Sequence, residues 1–235
     1  MVSPGRPGII LTTYNFLEQT RRCLSSLRRA TTTPYLLIAV DANSQDGTPQ
    51  HLQAQGIPVI RNNEEISLSV ALNQGIRFLL SQASVSHIAW IHNDMLFFRG
   101  WLEGLLQVLA AHPEVGKLAP YNLTGEPGQY TDEKVETFTT AHAGRLQPGN
   151  GCPWIMPRHV VEEVGLFDEG YLRCGGYEDW DYNNRVLERG YQVAITWASA
   201  VWHQGMGTRR YVDQKGADRY NAAYYERKWG RGPRV

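Results

Sequence analysis

Apolar and polar positions come in alternating blocks along the first hundred residues. "GIILTTYN" is a short β-rich run with a polar end. "YLLIAVDANSQDGT" packs Tyr35 to Val40 into one apolar block before Asp, Asn, Ser and Gly break it. Unbroken apolar runs of this length suit strands buried on both faces. Between them, "FLEQTRRCLSSLRRA" spaces Leu17, Cys23, Leu24 and Leu27 at near-helical intervals, with arginines opposite. "TPQHLQAQ" predicts a short helix and "IPVIRN" a strand. "SLSVALNQGIRFLLSQ" sets Leu68, Leu72, Ile76 and Leu79 or Leu80 on one helical face, and "HIAWIHNDM" is a strand running into polar residues. The order β-α-β-α-β-α-β predicts an α/β domain whose mainly parallel central sheet is flanked by helices.

The second half is less regular. "WLEGLLQVLAAH" predicts a helix ended by Pro113, and "VGKLAPYN" a strand. Residues 125–149 are polar and punctuated by Gly and Pro, which predicts loops or a weak hairpin. "CPWIMPRHVVEEVG" combines a strand and a short helix, and "YQVAITWASAVWHQG" is a strand ending at His203. Ligands of parallel α/β sheets bind outside the carboxyl ends of the strands. Those ends fall at Thr12 to Asn15, Asp41 to Asp46, Arg61 to Asn63 and His92 to Asp94. All are polar, and two of them carry Asp.

Composition narrows the class. The chain has 235 residues, 42% hydrophobic and 20% charged, as a soluble globular domain does. Formal net charge is zero, so nothing global argues for nucleic acid. Cys23, Cys152 and Cys174 are too few and too far apart for a metal-ligand or disulfide framework, which points to a reducing compartment. No secretory signal is seen, and no stretch reaches the roughly 18–20 apolar residues of a spanning helix. The expected location is cytoplasmic, with any membrane work done peripherally at the inner surface.

The chemistry collects at three places. "CGGYEDWDYNNRVLERGY" crowds Glu178, Asp179 and Asp181 at the start of an amphipathic helix, just after Gly175 and Gly176. Acids there are favoured by the helix dipole by roughly 0.3–1 kcal/mol each, which is one account of them. The other is that one of them is a base. Asp181 is placed to cap the helix or to pair with Arg185 at i, i+4. Asp94 and His203 each close a strand: both suit strand-end structural roles, and together they suit a divalent cation. "VDANSQDGT" is either a turn or a loop that holds a base or ribose. GxGxxG and GxxxxGK[ST] are both absent, so a phosphate here needs a metal or basic side chains.

In order, "IILTTYN", "VDANSQDGT", "NNEEISLSVALNQGI", "WIHNDM", "GLFDEGYLRCGGYEDWDYNNRVLERGY" and "AVWH" resemble the family 2 glycosyltransferases of the GT-A fold, from residue 8 to about 205. The resemblance implies a single GT-A-type, Rossmann-like catalytic domain over 1–207. Its nucleotide-binding half covers about 1–100 and its acceptor half about 101–207, with a helical, aromatic and basic tail at 208–235. It also implies the site. Thr13, Tyr14 and Asn15 line the nucleotide pocket, Asp41 takes the base with Asn43 nearby, and Asn63 and Asn93 complete the nucleotide-sugar contacts. "HND" stands for the family's DXD motif, so Asp94 binds the metal and the sugar nucleotide, and His203 completes the metal shell. Glu178 and Asp179 match the ED motif that supplies the base, with Asp179 favoured. Family members with this arrangement invert the anomeric carbon. His92 replaces the first acid of DXD, which is expected to weaken metal binding or shift preference between Mn²⁺ and Mg²⁺ towards Mn²⁺. "NNEEIS" lacks the glycines expected between Asn63 and Ala71.

The expected activity is therefore a metal-dependent, inverting hexosyl transfer from a nucleotide-sugar donor, a UDP-sugar first, to an acceptor hydroxyl. The acceptor is a glycan, a lipid-linked sugar, a protein or a small molecule. Gly176 would let the chain turn under the sugar, and Trp180 either stacks on a sugar face or packs beneath the helix. Arg209 and Arg210 follow His203 closely enough to face a diphosphate. The rest of the tail reads first as a helix packing its aromatic side on the domain, then as an acceptor platform. Two other classes compete. One is a binding module for nucleotide sugars or glycans that has lost turnover, which His92 keeps open. The other is a nucleotidyltransferase, for which "TTYNFLEQ" lacks a basic, Gly-rich loop.

Overall fold

Strand β1 (Arg6–Thr13) buries every residue but its first. Its side chains feed two cores in alternation: Ile9 and Leu11 on one face join Cys23, Leu24 and Leu27. Ile10 on the other joins Leu72, Ile76 and Leu79. This is why the sequence reads as an unbroken apolar run, since a strand covered on both faces has no polar side. Each such buried aliphatic contributes about 1.5–3 kcal/mol. The computed structural model describes residues 5–173, 176–205, 214–230 and 232–233.

The first half is built as expected. Strands β2 (Leu36–Asp41), β3 (Val59–Arg61) and β4 (Val85–His92) alternate with helices α1 (Leu17–Ala30), α2 (Thr48–Ala54) and α3 (Leu68–Leu80). The strands lie in the order β3-β2-β1-β4, all parallel. Parallel register brings their carboxyl ends to one line: Thr13 lies opposite Asp41, Asp41 opposite Arg61, and Thr12 opposite His92.

Beyond β4 come β5 (Met95–Phe97), α4 (Trp101–Ala111) and β6 (Val115–Leu123). They are followed by α5 (Asp132–Ala141), β7 (Leu146–Pro148), β8 (Trp154–Pro157), α6 (Arg158–Val164), α7 (Tyr177–Glu188), β9 (Gln192–His203) and α8 (Gln214–Trp229). The sheet continues β4-β8-β6-β9-β5, with β7 also on β9. Here it becomes mixed: β8 runs antiparallel to β4 and β6, and β9 runs parallel to β6 but antiparallel to β5 and β7. Helix α4 comes so close to β9 that a Cβ on Gly104 would sit 2.2 Å from the carbonyl oxygen of Ala198. No helix among the described residues is long and apolar enough to cross a membrane.

Residues 125–149 correct the sequence reading. Instead of loops or a hairpin they form a 3-10 turn, helix α5 and strand β7. The signal was in the cap: Thr131 Oγ1 accepts from Lys134 N at 3.3 Å, with Asp132 and Glu133 in the first turn. The apolar stripe is too thin to be read, because only Val135 of α5 is fully buried, under Phe98, Leu123 and Ala200. Strand β5 was likewise not separated from the polar end of β4.

Helix α8, in the tail, packs on the domain. Ala217, Asn221 and Tyr225 of α8 are buried, Arg219 and Arg227 are exposed, and Tyr220 is 42% exposed. Asp181 of α7 is fully buried and accepts from Trp229 Nε1 at 2.9 Å and Arg185 Nε at 3.0 Å, with Lys228 Nζ 2.7 Å away. Asn221 pairs both backbone groups of Leu172 at 2.8 and 2.9 Å. Lys228 also reaches Asp168 at 2.6 Å.

Two stability outcomes follow. Asp41 is fully buried and accepts from Thr13 Oγ1, Ser44 N and Ser44 Oγ at 2.9, 2.9 and 2.5 Å. Asp41→Ala strands all three donors and should lower stability by about 2–4 kcal/mol in urea unfolding. Burial raises the Asp168 pKa, but the Lys228 and Gly170 hydrogen bonds and the Lys228 charge outweigh it, leaving it below its ordinary 3.8. A depressed carboxylate stabilises the fold above its unfolded pKa and loses that contribution as pH falls through the folded value. The stability gap between wild type and Asp168→Asn should therefore be about 1 kcal/mol at pH 7 and close below about pH 4, read by urea unfolding at each pH.

Candidate active site

The loops at the carboxyl edge are built by side chains that replace missing backbone partners. Asn15 and Phe16, after β1, and Asn43, after β2, all have positive φ, of 58°, 67° and 75°. Non-glycine residues adopt this only where surroundings impose it, and such positions gather at ligand sites. Here the surroundings are visible. Asn15 N donates to Ser44 Oγ at 2.7 Å, and Asn15 Oδ1 accepts from Gln45 N at 2.8 Å. Asn43 Oδ1 accepts from Gln45 Nε2 at 2.8 Å. Asp46 caps two helices at once, taking Leu17 N at 2.8 Å and Thr48 N at 3.1 Å. Thr13 and Asp41 are buried within this lattice, while Tyr14 and Asn15 are half-buried at its rim.

Two asparagines sit differently from each other. Asn93 is buried, and its Nδ2 donates to Asn15 O at 2.9 Å and Thr20 Oγ1 at 3.0 Å, tying the β4 end to the β1 loop. Asn63 is exposed. Its neighbour Asn62 holds the strand ends together, donating to Asp41 O at 3.0 Å and exchanging hydrogen bonds with Gln74.

Asp94 and His203 meet. Met95 pairs with His203 across β5 and β9, and Gln204 N donates to Asp94 O at 3.1 Å. The side chains then close the corner, with Asp94 Oδ1 3.1 Å from His203 Nε2 and both partly open to solvent. The His92 ring stacks on that of His203 at 5.4 Å. Burial pushes the His92 pKa down to about 4, with Asp94 raising it and His203 lowering it further, so His92 is neutral at pH 7. Burial alone would raise Asp94, but the His203 hydrogen bond and the charges of His92 and His203 hold it below the usual carboxylate value. Among the described residues no group of three or more His, Cys, Asp or Glu is gathered for a metal. A shallow cleft opens beside Asp94, lined by Gln19, Arg22, Trp202 and Gln204.

The acids of α7 occupy the facing side. Gly176 precedes the helix at φ 130°, a conformation L side chains rarely adopt, and Glu178 and Asp179 fill the first turn. Glu178 is buried at 2% exposure. The Asp179 side chain is 15% exposed, so it is the acid of the pair that meets solvent. Trp180 is half-buried. Asp181 turns away from both into its Arg185, Lys228 and Trp229 contacts. The segment before α7 is clamped: Asn73 accepts from Phe167 N at 2.8 Å and donates to Phe167 O at 2.9 Å, and Leu68 N donates to Arg173 O at 2.7 Å. Arg173 also pairs with Glu65. Gly175 and Arg209 lie outside the described residues.

Cys152 is close enough to feel the acids of both sides. The antiparallel β4–β8 ladder ends at the Trp90–Trp154 pair; Cys152 lies two residues before Trp154, and its carbonyl accepts from Asn122 Nδ2 at 3.0 Å. Burial drives its thiol well above the ordinary value, and Asp179, Asp94 and Glu178 raise it further against Lys117. It is a thiol and not a thiolate nucleophile. Its surroundings bring the strand-end acid and the helix acids around one centre.

One residue of this centre was not singled out from the sequence. Lys117, in β6, is 1% exposed and lies 3.2 Å from Asp179 Oδ1. The signal was a lysine inside "VGKLAPYN", among residues that all read as core.

Comparisons with known proteins bear on the family and the fold. Residues 8–160 match the family described as Glycosyl transferase family 2. Two curated relatives, N-acetylglucosaminyl-diphospho-decaprenol L-rhamnosyltransferases of Mycobacterium tuberculosis strains, are 24% identical over 240 residues, spanning 86% of this chain and 77% of theirs. Mannosyltransferase PcManGT from Pyrobaculum calidifontis, in complex with GDP-Man and Mn²⁺, superposes at TM-score 0.69 and 17% identity, over 99% of this chain and 67% of that one. GalNAc-T7 with UDP, GalNAc and Mn²⁺ gives 0.63 at 13% identity, over 86% of this chain but 44% of that one. S. aureus TarS 1-349 gives 0.63 at 13%, over 96% and 72%. These structural likenesses establish the GT-A type of fold. The family match covers well over half of the chain and spans the β1, β2 and β4 strand ends. The chain belongs to glycosyl transferase family 2 and is a glycosyltransferase.

Proposed function

We propose that the chain transfers a sugar from a nucleoside diphosphate donor, a UDP-sugar first, to an acceptor hydroxyl in a single inverting displacement. The observation that carries this reading is the pairing of Asp94 with His203 at the sheet edge, with Cys152 close enough to feel both Asp94 and the acids in the first turn of α7. A divalent cation fits the pair by chemistry: a carboxylate oxygen and an imidazole nitrogen suit Mn²⁺ better than Mg²⁺. Asp94 Oδ1 and His203 Nε2, 3.1 Å apart, would be the two protein groups that hold it. Diphosphate oxygens and water would supply its remaining ligands, as is usual for such ions. When bound, the cation offsets charge on the departing nucleoside diphosphate.

The chain's own residues do the rest. Asp179 accepts the proton of the acceptor hydroxyl as that oxygen attacks. Its exposure favours it over the buried Glu178. The Thr13–Asp41–Ser44 lattice and the Asn15 and Asn43 loops hold the nucleoside. The complexes of the two structural relatives with a nucleotide or nucleotide sugar and Mn²⁺ support both donor and metal. The rhamnosyltransferase relatives support a sugar linked through a diphosphate to a polyprenol as the first acceptor class to try, reached by peripheral contact with the membrane surface.

Calorimetric titration with UDP, GDP, dTDP and CDP, each with Mn²⁺, Mg²⁺ or EDTA, tests the donor site. One nucleotide should bind selectively and only with metal, and Asp94→Ala should abolish the metal dependence. Asp179→Asn should keep nucleotide binding and lose transfer by on the order of 100-fold or more. Normal turnover by Asp179→Asn would remove it as the base, and binding of no nucleotide would favour a fold that has lost turnover.

A further inference from the structure

Lys117 is the group in this centre that the proposed reaction leaves unused. It sits mid-strand in β6, 1% exposed, with its Nζ 5.5 Å from the centre of the Trp154 ring. A buried ammonium is costly unless paired and fully hydrogen-bonded. Its three N–H groups have three oxygens to meet: Asn183 Oδ1 at 2.8 Å, Asp179 Oδ1 at 3.2 Å and Asn150 Oδ1 at 3.3 Å. Two of these are neutral amides, so Asp179 is the countercharge. Asp179 and Asn183 are four apart on α7 and therefore share a face. Lys117 thus gathers one face of the helix that carries the proposed base.

The fold alone gives no reason for the charge. Val115, Leu118 and Ala119 fill the neighbouring positions of β6 with apolar side chains. A buried ion pair is often matched or bettered in stability by apolar residues of similar volume. What the lysine adds is direction. It holds Oδ1 of Asp179, and no described residue engages Oδ2. One oxygen is anchored in the protein and the other is left for an incoming hydroxyl.

We propose that Lys117 is a positioning residue for the base: it fixes the rotamer of Asp179 through Oδ1 and leaves Oδ2 turned to the acceptor. The inference rests on the reading of Asp179 as the base. Among the described residues, the charged and titratable groups around Asp179 are Lys117 from β6, the Cys152 thiol just before β8, and Glu178 on its own helix, with Asp94 acting on the same Cys152 from the β4 end.

The test follows the Asp179 carboxyl directly, by carbon-detected NMR titration of the full chain labelled at aspartate carboxyls, with Asp179→Asn to assign the resonance. In Lys117→Met the Asp179 titration should move up by about 1–3 pH units, because a partly buried carboxylate has lost its cation. In the transfer assay the same variant should lose kcat by on the order of 100-fold, keep its KM for donor, and shift the acid limb of its pH profile upward with the NMR value. An unmoved titration overturns the proposal. So does a wild-type kcat and acid limb in Lys117→Met while Asp179→Asn is inactive. Full activity of Asp179→Asn would instead defeat the base assignment, and the titration would still report the Lys117–Asp179 pair. Should Lys117→Met fail to fold, the double variant Lys117→Met/Asp179→Asn, freed of the unpaired acid, should recover folding by circular dichroism. A double variant no more stable than the single one overturns the proposal.

Discussion

Strand β9 is the constraint on which the catalytic half depends. Twelve residues long, it pairs with β6 in parallel and with β5 and β7 in the opposite sense. A strand shared by three partners has one register open to it, since a slip of one residue turns every side chain to the other face. That register sets Met95 opposite His203 and so brings Asp94 to the imidazole. Asp94 and His203 lie far apart in the chain, and neither loop alone could hold a 3.1 Å contact. The close approach of Gly104 on α4 to Ala198 presses the same strand from one face.

The two halves of the molecule solve different problems. The parallel half aligns four strand ends and has little to do chemically except hold still. It does so with Asp41, Asp46, Asn62 and Asn93, whose side chains bond to backbone groups or neighbouring side chains of other loops. The strained asparagines Asn15 and Asn43 are held by Ser44 and Gln45. The mixed half must bring a helix N-terminus over that edge. It does so by clamping the segment before α7, to α3 through Asn73 and to α8 through Asn221.

Much of this was legible in the sequence for physical reasons. Strands buried on both faces announce themselves as apolar blocks, so β1, β2 and β4 and their polar ends could be placed. The acids at 178, 179 and 181 were visible as a helix start, and the i, i+4 pairing of Asp181 with Arg185 stands at 3.0 Å. What was not legible depends on tertiary contact. Helix α5 has a proper cap but rests on the core through Val135, so its periodicity is faint. Strand β5 is three residues long and exists because β9 offers it an edge. Lys117 reads as an oddity in a strand until α7 folds across it. Asn63 and Asn62 are equivalent as letters, and it is the pairing of β3 with β2 that makes Asn62 the one to reach Asp41.

Asp181 has a wider consequence. It stands two residues after Asp179 on the same helix and is buried against Arg185, Lys228 and Trp229. Two of those three partners belong to α8. The last helix is therefore electrostatically continuous with the helix that carries the acids, and the two should gain and lose order together. In amide hydrogen exchange they would open as one cooperative unit, although residues 189–213, including all of β9, separate them.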